Sequence, residues 1–233
     1  MWSGGFEFGT LWASYLGPAG ENTAHAHVAV QVAIGIETDP CIELQGTGML
    51  AGPVLVVGPR VPHRLTPSAR PLGLLYVAPQ APLASALLAA IRPATAAALP
   101  ARLAAAVHGV GPSLWAVALQ VAVGAAAPAL DARLAAALHD ATGHAGPGAI
   151  GRAAAAAGLS ESRLRALARR QLHAPLSQWL LWHKLERAAR AVAAGAGLAA
   201  AAAEGGFADQ AHFTRTMKRM FGVTPAAAAA ALR

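Results

Sequence analysis

Cysteine is almost missing from this chain: Cys41 is the single one among 233 residues. One thiol rules out an internal disulfide framework and suits a reducing, cytoplasmic setting. Cys41 stands beside Pro40 in a segment read as a turn, with nothing next to it that would activate a thiol. The glycine-rich phosphate loop, the dinucleotide-binding glycine pattern and the G-x-S-x-G elbow are also missing, so no nucleotide-dependent or serine-hydrolase chemistry is indicated. The opening "MWSGGFEFGT" has no basic segment leading into an apolar one, so no secretory leader is expected. The stretch 113–130 is uncharged, but Gln120, Gly124 and Pro128 interrupt it and alanine dominates it. A membrane span needs about 20 strongly apolar residues, and this is not one.

What is abundant is alanine and its apolar relatives, which bring the hydrophobic share to 55%. That is ample for a packed core and argues against general disorder. Alanine favours helix but drives burial weakly, so the other residues carry the pattern. Charge is unevenly placed. Residues 1–130 hold five arginines and five acids, whereas residues 131–233 hold thirteen Lys/Arg against six acids, so the net +7 lies entirely in the second part. A neutral module joined to a basic one points to a polyanion partner for the latter.

Between residues 25 and about 78, "HVAVQVAIGI", "PVLVVGPRVPHRL" and "PLGLLYVAP" are short Val/Ile/Leu runs between turn signals, the pattern of a small sandwich or barrel. From about residue 83 to 126 the pattern turns helical, with breaks at Pro93, Pro100 and "GVGP" (109–112), giving two or three helices that pack on the barrel or form a dimer contact. Asp131 reads as the N-cap of the next helix, stopped by a Gly-rich segment before residue 148. The rest reads as helical. The expected class is therefore α+β in two domains: a small N-terminal β-barrel with following helices, then an all-α C-terminal part.

The C-terminal part contains an internal repeat. "IGRAAAAAGLSESRLRALARRQ" (150–171) and "LAAAAAEGGFADQAHFTRTMKR" (198–219) align without a gap. Each has an Ala-rich helix, a turn with glycine, an apolar residue (Leu159, Phe207), an N-cap candidate (Ser160, Asp209) and a basic amphipathic helix: helix–turn–helix logic, twice. In the second copy Phe213, Met217, Met220 and Phe221 fall on one stripe, and Ala211, His212, Arg215, Lys218 and Arg219 on the other. In the first, Leu164, Leu167 and Ala168 face inward and the arginines outward. A protruding helix with small and basic outer residues suits the DNA major groove.

"GGFADQAHFTRTMKRMFGVTP" resembles the C-terminal signature of AraC-type transcriptional regulators through Gly206-Phe207, Asp209, His212-Phe213, Arg215, Lys218-Arg219, Phe221-Gly222 and Thr224-Pro225. Upstream, Ala157-Gly158-Leu159-Ser160, Ser162, Leu164, Leu167, Pro175-Leu176 and Arg187-Ala188 resemble the first helix–turn–helix and the linking helix of that family. The resemblance implies a two-lobed DNA-binding domain with one recognition helix per lobe in the major groove. Carried over by position, Ser162, Arg163 and Ala166 would face bases from the first helix, with Arg165 nearby, and Gln210, Ala211, His212 and Arg215 from the second. Arg169, Arg170, Lys218 and Arg219 go to phosphates, which supply affinity rather than sequence information. Ala168 departs from the family, which usually has an aromatic residue there.

"HAHVAVQ" (25–31) and "GPRVPHR" (58–64) resemble the two halves of a cupin motif, the small barrel that such regulators often carry as a sensor. His25 and His27, two apart, would face one way, and a returning strand could bring His63 to them. Gln31 stands where a metal-binding cupin usually has Glu, and Arg60 where Gly is common. Three imidazoles suit Zn, Fe, Ni or Cu, with Gln31 a weak fourth ligand. The alternatives are an effector pocket formed by His25, His27, Gln31 and His63 with no metal required, a divalent transition metal held by His25, His27 and His63, or a metal-dependent cupin enzyme with a vestigial DNA-binding domain. His108, His139, His144, His173 and His183 read as structural or surface residues.

The chain is thus expected to be a cytoplasmic, non-enzymatic regulator with a cupin-like sensor over 1–80, a helical connector over 81–128 and an AraC-type domain over 129–233. Its expected partners are double-stranded DNA and a small-molecule or metal effector, with RNA polymerase and a second copy of the chain implied by the family and no membrane involved.

Overall fold

The computed structural model describes residues 2–124, 129–143, 146 and 148–232. Nine strands form two antiparallel sheets among these residues. The larger contains β1 (Gly5–Phe8), β2 (Trp12–Ala19), β3 (Val30–Gly35), β6 (Val54–Val57), β8 (Ser68–Val77) and β9 (Ala96–Ala98), in the order β1-β2-β8-β3-β6-β9. The smaller contains β4 (Cys41–Leu44), β5 (Gly48–Ala51) and β7 (His63–Leu65), in the order β5-β4-β7. The expected barrel is therefore not closed. No ladder joins the two sheets among the described residues, and an isolated bridge between His25 and His63 stands at their junction.

Alternation along the central strands explains why they read as nearly continuous apolar runs. One face of the large sheet (Ala33, Leu55, Val57, Leu72, Leu74 and Tyr76) packs toward Ile42 and Leu65 of the small sheet. The other face (Val30, Val32, Ile34, Val54, Val56, Leu75 and Val77) packs under helices α1 (Pro82–Ala90), α2 (Ala101–Ala104) and α3 (Trp115–Val123). A sheet covered on both sides needs apolar residues at odd and even positions alike. Gly73 leaves room for α3: a Cβ there would lie 2.3 Å from the Trp115 ring.

One expectation fails in this layer. The stretch after Pro93 was expected to be helical, yet Ala96–Ala98 forms the edge strand β9 against Leu55–Val57. Three alanines carry no periodicity. Their conformation is set by the open edge of β6, whose Val54 carbonyl also accepts from Leu99 N–H at 2.9 Å.

The C-terminal half is all helical where described: α4 (Ala132–Gly143), α5 (Ala149–Ala156), α6 (Glu161–Leu172), α7 (Leu176–Ala193), α8 (Leu198–Glu204), α9 (Gln210–Phe221) and α10 (Pro225–Leu232). Asp131 accepts Arg133 N–H at 2.9 Å, so it caps α4 as expected. The 18-residue α7 joins the two repeats and ends before Gly195, which has φ 95°.

The repeat holds with one correction. Gly158 (φ 63°) and Gly206 (φ 76°) end α5 and α8 in the same way: Leu159 N–H bonds to Ala154 O and Phe207 N–H to Ala202 O, both at offset 48. The caps Ser160 and Asp209, accepting from Arg163 N–H at 3.3 Å and His212 N–H at 2.6 Å, stand at offset 49. The second turn is one residue longer, so the two copies do not align without a gap through α6 and α9.

Two cores serve the helical half. Leu134, Leu138, Leu164, Leu167, Ala168, Leu172 and Trp179 hold the first lobe together. Ala168 is fully buried, and Trp179 from α7 lies in the same cluster. The second lobe has no separate core. Phe207, Phe213, Met217, Met220, Trp182 and Leu185 belong to the same cluster as Tyr15, Leu74 and Tyr76 of the sheet domain. Among the described residues no helix is long and apolar enough to cross a membrane.

Candidate functional site

His25, His27, His63 and Gln31 come together as the sequence suggested, although His25 and His27 precede β3 rather than lying on it. All four are buried. The bridge with His63 holds His25 by backbone bonds of 2.9 Å in both directions. Arg60 adopts φ 63°, a left-handed conformation that explains why glycine is common at this point of the motif, and its N–H bonds to His27 O at 2.7 Å.

The three rings share one orientation. His25 Nδ1 lies 2.8 Å from Thr23 O, His27 Nδ1 3.0 Å from Ala29 O and His63 Nδ1 2.8 Å from Val61 O. A carbonyl can only accept, so each Nδ1 carries the proton and each Nε2 keeps a free lone pair. The Gln31 amide lies 3.1 Å from His27 Nε2 and 3.2 Å from His63 Nε2. Two lone pairs require two donors, so the amide end that faces them is the NH₂.

Burial keeps the cluster neutral. It lowers His25 to about 4, with the neighbouring His63 adding to the effect and the Thr23 carbonyl opposing it. His27 is pushed well below its usual value by burial and by both other histidines, and His63 is lowered by burial. Three neutral imidazoles, each oriented by a backbone carbonyl, suit a soft or borderline divalent metal. Their candidate ligand atoms lie within 4.8 Å of one another.

No local pattern in the sequence foretold what covers this cluster. The C-terminal end of α9 does so. The Phe221 ring lies 5.6 Å from His27, 5.5 Å from Tyr76 and 5.5 Å from Trp182. The next residue, Gly222, accepts Thr23 N–H at 3.0 Å and the Thr23 hydroxyl at 3.4 Å. Further ties between the halves run from Trp179 Nε1–H to Gln80 Oε1 at 2.8 Å and from Arg190 to the Gly9 carbonyl. Beside the cluster an apolar cavity of about 80 Å³ lies between the sheet domain and helices α7, α9 and α10. Trp2, Phe6, Phe8, Tyr76, Trp182 and Phe221 line it. The spacing of Phe221 assigned it to an inward face, but sequence does not say whose core an inward face will join.

The twelve residues assigned to DNA all lie on α6 and α9, and none is buried. Ser162, Arg163, Ala166, Arg169, Arg170, Gln210, Ala211, Arg215, Lys218 and Arg219 are exposed, and Arg165 and His212 are partly covered. Leu164, Leu167 and Ala168 on α6, and Phe213, Met217 and Met220 on α9, turn inward. Arg165 bonds Glu161 at 3.1 Å, an i,i+4 pair at the helix surface. Of the remaining histidines, His108, His139 and His173 are exposed, His183 stacks on Trp179 at 5.8 Å, and His144 lies outside the described residues.

Three comparisons bear on this arrangement. The profile of a helix–turn–helix domain family matches residues 153–231. Curated protein sequences give no significant match. Among solved structures, apo ToxT from Vibrio cholerae strain SCE256, in a variant form, is similar at TM-score 0.60 and 9% identity, covering 97% of this chain and 100% of that one. ToxT from Vibrio cholerae O395 matches at TM-score 0.60 and 8% identity over 95% of this chain and 98% of that one. ToxT of strain SCE256 with an unsaturated fatty acid bound matches at TM-score 0.57 and 8% identity, over 97% of each chain. At such identities the likeness speaks for the fold: a sheet-rich N-terminal domain, then helices. Residues 153–231 thus match a helix–turn–helix domain, and the chain shares with ToxT a two-domain fold in which a sheet-rich N-terminal part precedes the helices.

Proposed function

We propose that this chain is a sequence-specific transcriptional regulator in which occupancy of the seam between the two domains sets how the second recognition helix is held. The observation that carries this reading is the junction at Phe221 and Gly222. The last residues of α9 cover the histidine cluster and bond to Thr23, whose own carbonyl accepts from His25 Nδ1. An occupant of the seam therefore acts on the same few residues that fix the reading helix. Coupling follows if the occupant binds one arrangement of the seam better than the other.

Ser162, Arg163, Arg165 and Ala166 on α6, with Gln210, Ala211, His212 and Arg215 on α9, are the base-reading set in this proposal. Arg169, Arg170, Lys218 and Arg219 hold phosphates. Selection from a random DNA library tests it. A two-part site with half-sites about one turn apart is the expected outcome. Uniform binding to all sequences would overturn it.

The seam offers two places for an effector. ToxT has been solved with a fatty acid bound, and by that likeness the aromatic cavity is the first. The second is the histidine cluster, where His25, His27 and His63 would hold a divalent transition metal through ring nitrogens and Gln31 would give up its amide contacts. Such an ion would supply a fixed charge that draws the three rings together. In this proposal the cluster senses and does not catalyse; turnover that depended on His25, His27 and His63 would instead favour a metal-dependent cupin enzyme. A cytoplasmic location, contact with RNA polymerase and a homodimer complete the proposal. The exposed Leu114, Val117 and Val121 around uncharged α3 are the dimer surface it assigns.

A further inference from the structure

The chain has five Trp, two Tyr and five Phe, twelve aromatic side chains in all. Six of them (Trp2, Phe6, Phe8, Tyr76, Trp182 and Phe221) line the one cavity of about 80 Å³ in the seam. A protein with so few aromatics has put half of them around a single space. Flat rings pack best against flat rings.

The polar groups at this cavity are few and specific. Trp182 lines it, and its indole Nε1–H is buried without a hydrogen-bond partner among the described residues. An unmet buried donor is costly, and a ligand acceptor would relieve that cost. Glu186 lines the cavity, and its partner Arg190 bonds it at 2.8 Å, bonds the Gly9 carbonyl and lies over the face of Phe8 at 5.0 Å. Among the described lining residues a carboxylate entering here would meet Glu186 and no Lys or Arg.

We infer that the effector of this seam is an uncharged, flat aromatic molecule carrying a hydrogen-bond acceptor, bound between the aromatic side chains with its acceptor on Trp182 Nε1–H. The inference rests on the reading of the seam as the effector site and narrows it to a chemical class. A cavity of about 150 Å³ holds a single benzene ring. The observed space is about half that, so a ring needs a lining side chain to move, and the inference assigns that movement to Phe221, which packs on Trp182 and Tyr76. Entry of the ligand and displacement of the end of α9 are then the same event.

Three naphthalene probes with one skeleton test this: 2-acetylnaphthalene, 2-naphthoate and 2-ethylnaphthalene, titrated calorimetrically into the full chain. The ketone should bind at least about fivefold more tightly than the ethyl compound, the worth of one net hydrogen bond, and more tightly still than the acid. Trp182→Phe should bring the ketone down to the ethyl compound. Tighter binding of the naphthoate, equal binding of ketone and ethyl compounds to the unaltered chain, or no binding of any probe overturns the inference. The comparison on the unaltered chain decides even if the variant folds poorly. Affinity for selected DNA, measured with and without the ketone, separates the two ideas. Probe binding in the predicted order with no effect on DNA leaves the ligand class standing and removes the seam as a regulatory site. A naphthoate that binds best and shifts DNA affinity does the reverse.

Discussion

Gly222 and Thr23 lie 199 residues apart in sequence and are joined backbone to backbone, Thr23 N–H donating to the Gly222 carbonyl at 3.0 Å. Their approach is so close that a Cβ on Gly222 would fall 2.3 Å from Thr23 O and 2.9 Å from His25 Nδ1. Gly222 also has φ 71°, where it ends α9 in a left-handed cap. One glycine thus serves both the end of α9 and its attachment to the sheet domain.

Gly222→Ala should therefore cost more than its backbone conformation alone. Gly158 offers the control, with φ 63° and nothing within 4 Å of a built Cβ. Gly158→Ala should lose about 1 kcal/mol from the left-handed conformation. Gly222→Ala should lose that and about 1–3 kcal/mol more from the contact with Thr23. Urea unfolding of both variants checks this; equal losses would mean that the seam yields freely at Thr23.

Exposed Arg215 is assigned to a base edge and exposed Lys218 to a phosphate. Arg215→Ala should lower the preference for selected over random DNA by about 1–3 kcal/mol. Lys218→Ala should weaken both alike and reduce the salt slope by about one. Binding isotherms at three salt concentrations distinguish the two. Uniform weakening by Arg215→Ala would remove it from the reading set.

The histidine cluster should take up about one divalent metal per chain when untagged protein is purified without chelator, and His63→Ala should abolish it. Inductively coupled plasma mass spectrometry reads the result. No metal in folded protein would leave the cluster as a neutral wall of the effector site.

In chelator-treated protein the cluster predicts a pH dependence. His25 falls from 6.5 unfolded to about 4 folded, with burial the main cause. The unfolded chain then binds more protons between those values. Stability is complete above pH 6.5 and declines as pH falls toward 4, His25 alone accounting for on the order of 3 kcal/mol. His27 and His63 shift in the same direction. Denaturant midpoints between pH 7.5 and 4.5 should show the decline, and a flat profile would mean that the rings are solvated.

The C-terminal reader was legible because its signals are local. Ser160 and Asp209 cap helices from within three residues, and Gly158 and Gly206 turn the chain in place. Apolar spacing alone sorted Phe213 and Met217 from Arg215 and Lys218. The histidine cluster was legible through spacing and motif, since its members lie on segments that pair directly. The strand Ala96–Ala98 was not, because alanine has no pattern and an unsatisfied edge of β6 decided its conformation. The longer second turn was hidden too: residue 208 is one more alanine among many. Sequence by itself determined the secondary structure of the reader and which of its faces turns inward. Only the tertiary structure decided that the inward face of α9 closes over the sheet domain's histidines. That choice depends on shape matching between surfaces far apart in the chain, such as the bare backbone of Gly222 against Thr23, and no local pattern encodes it.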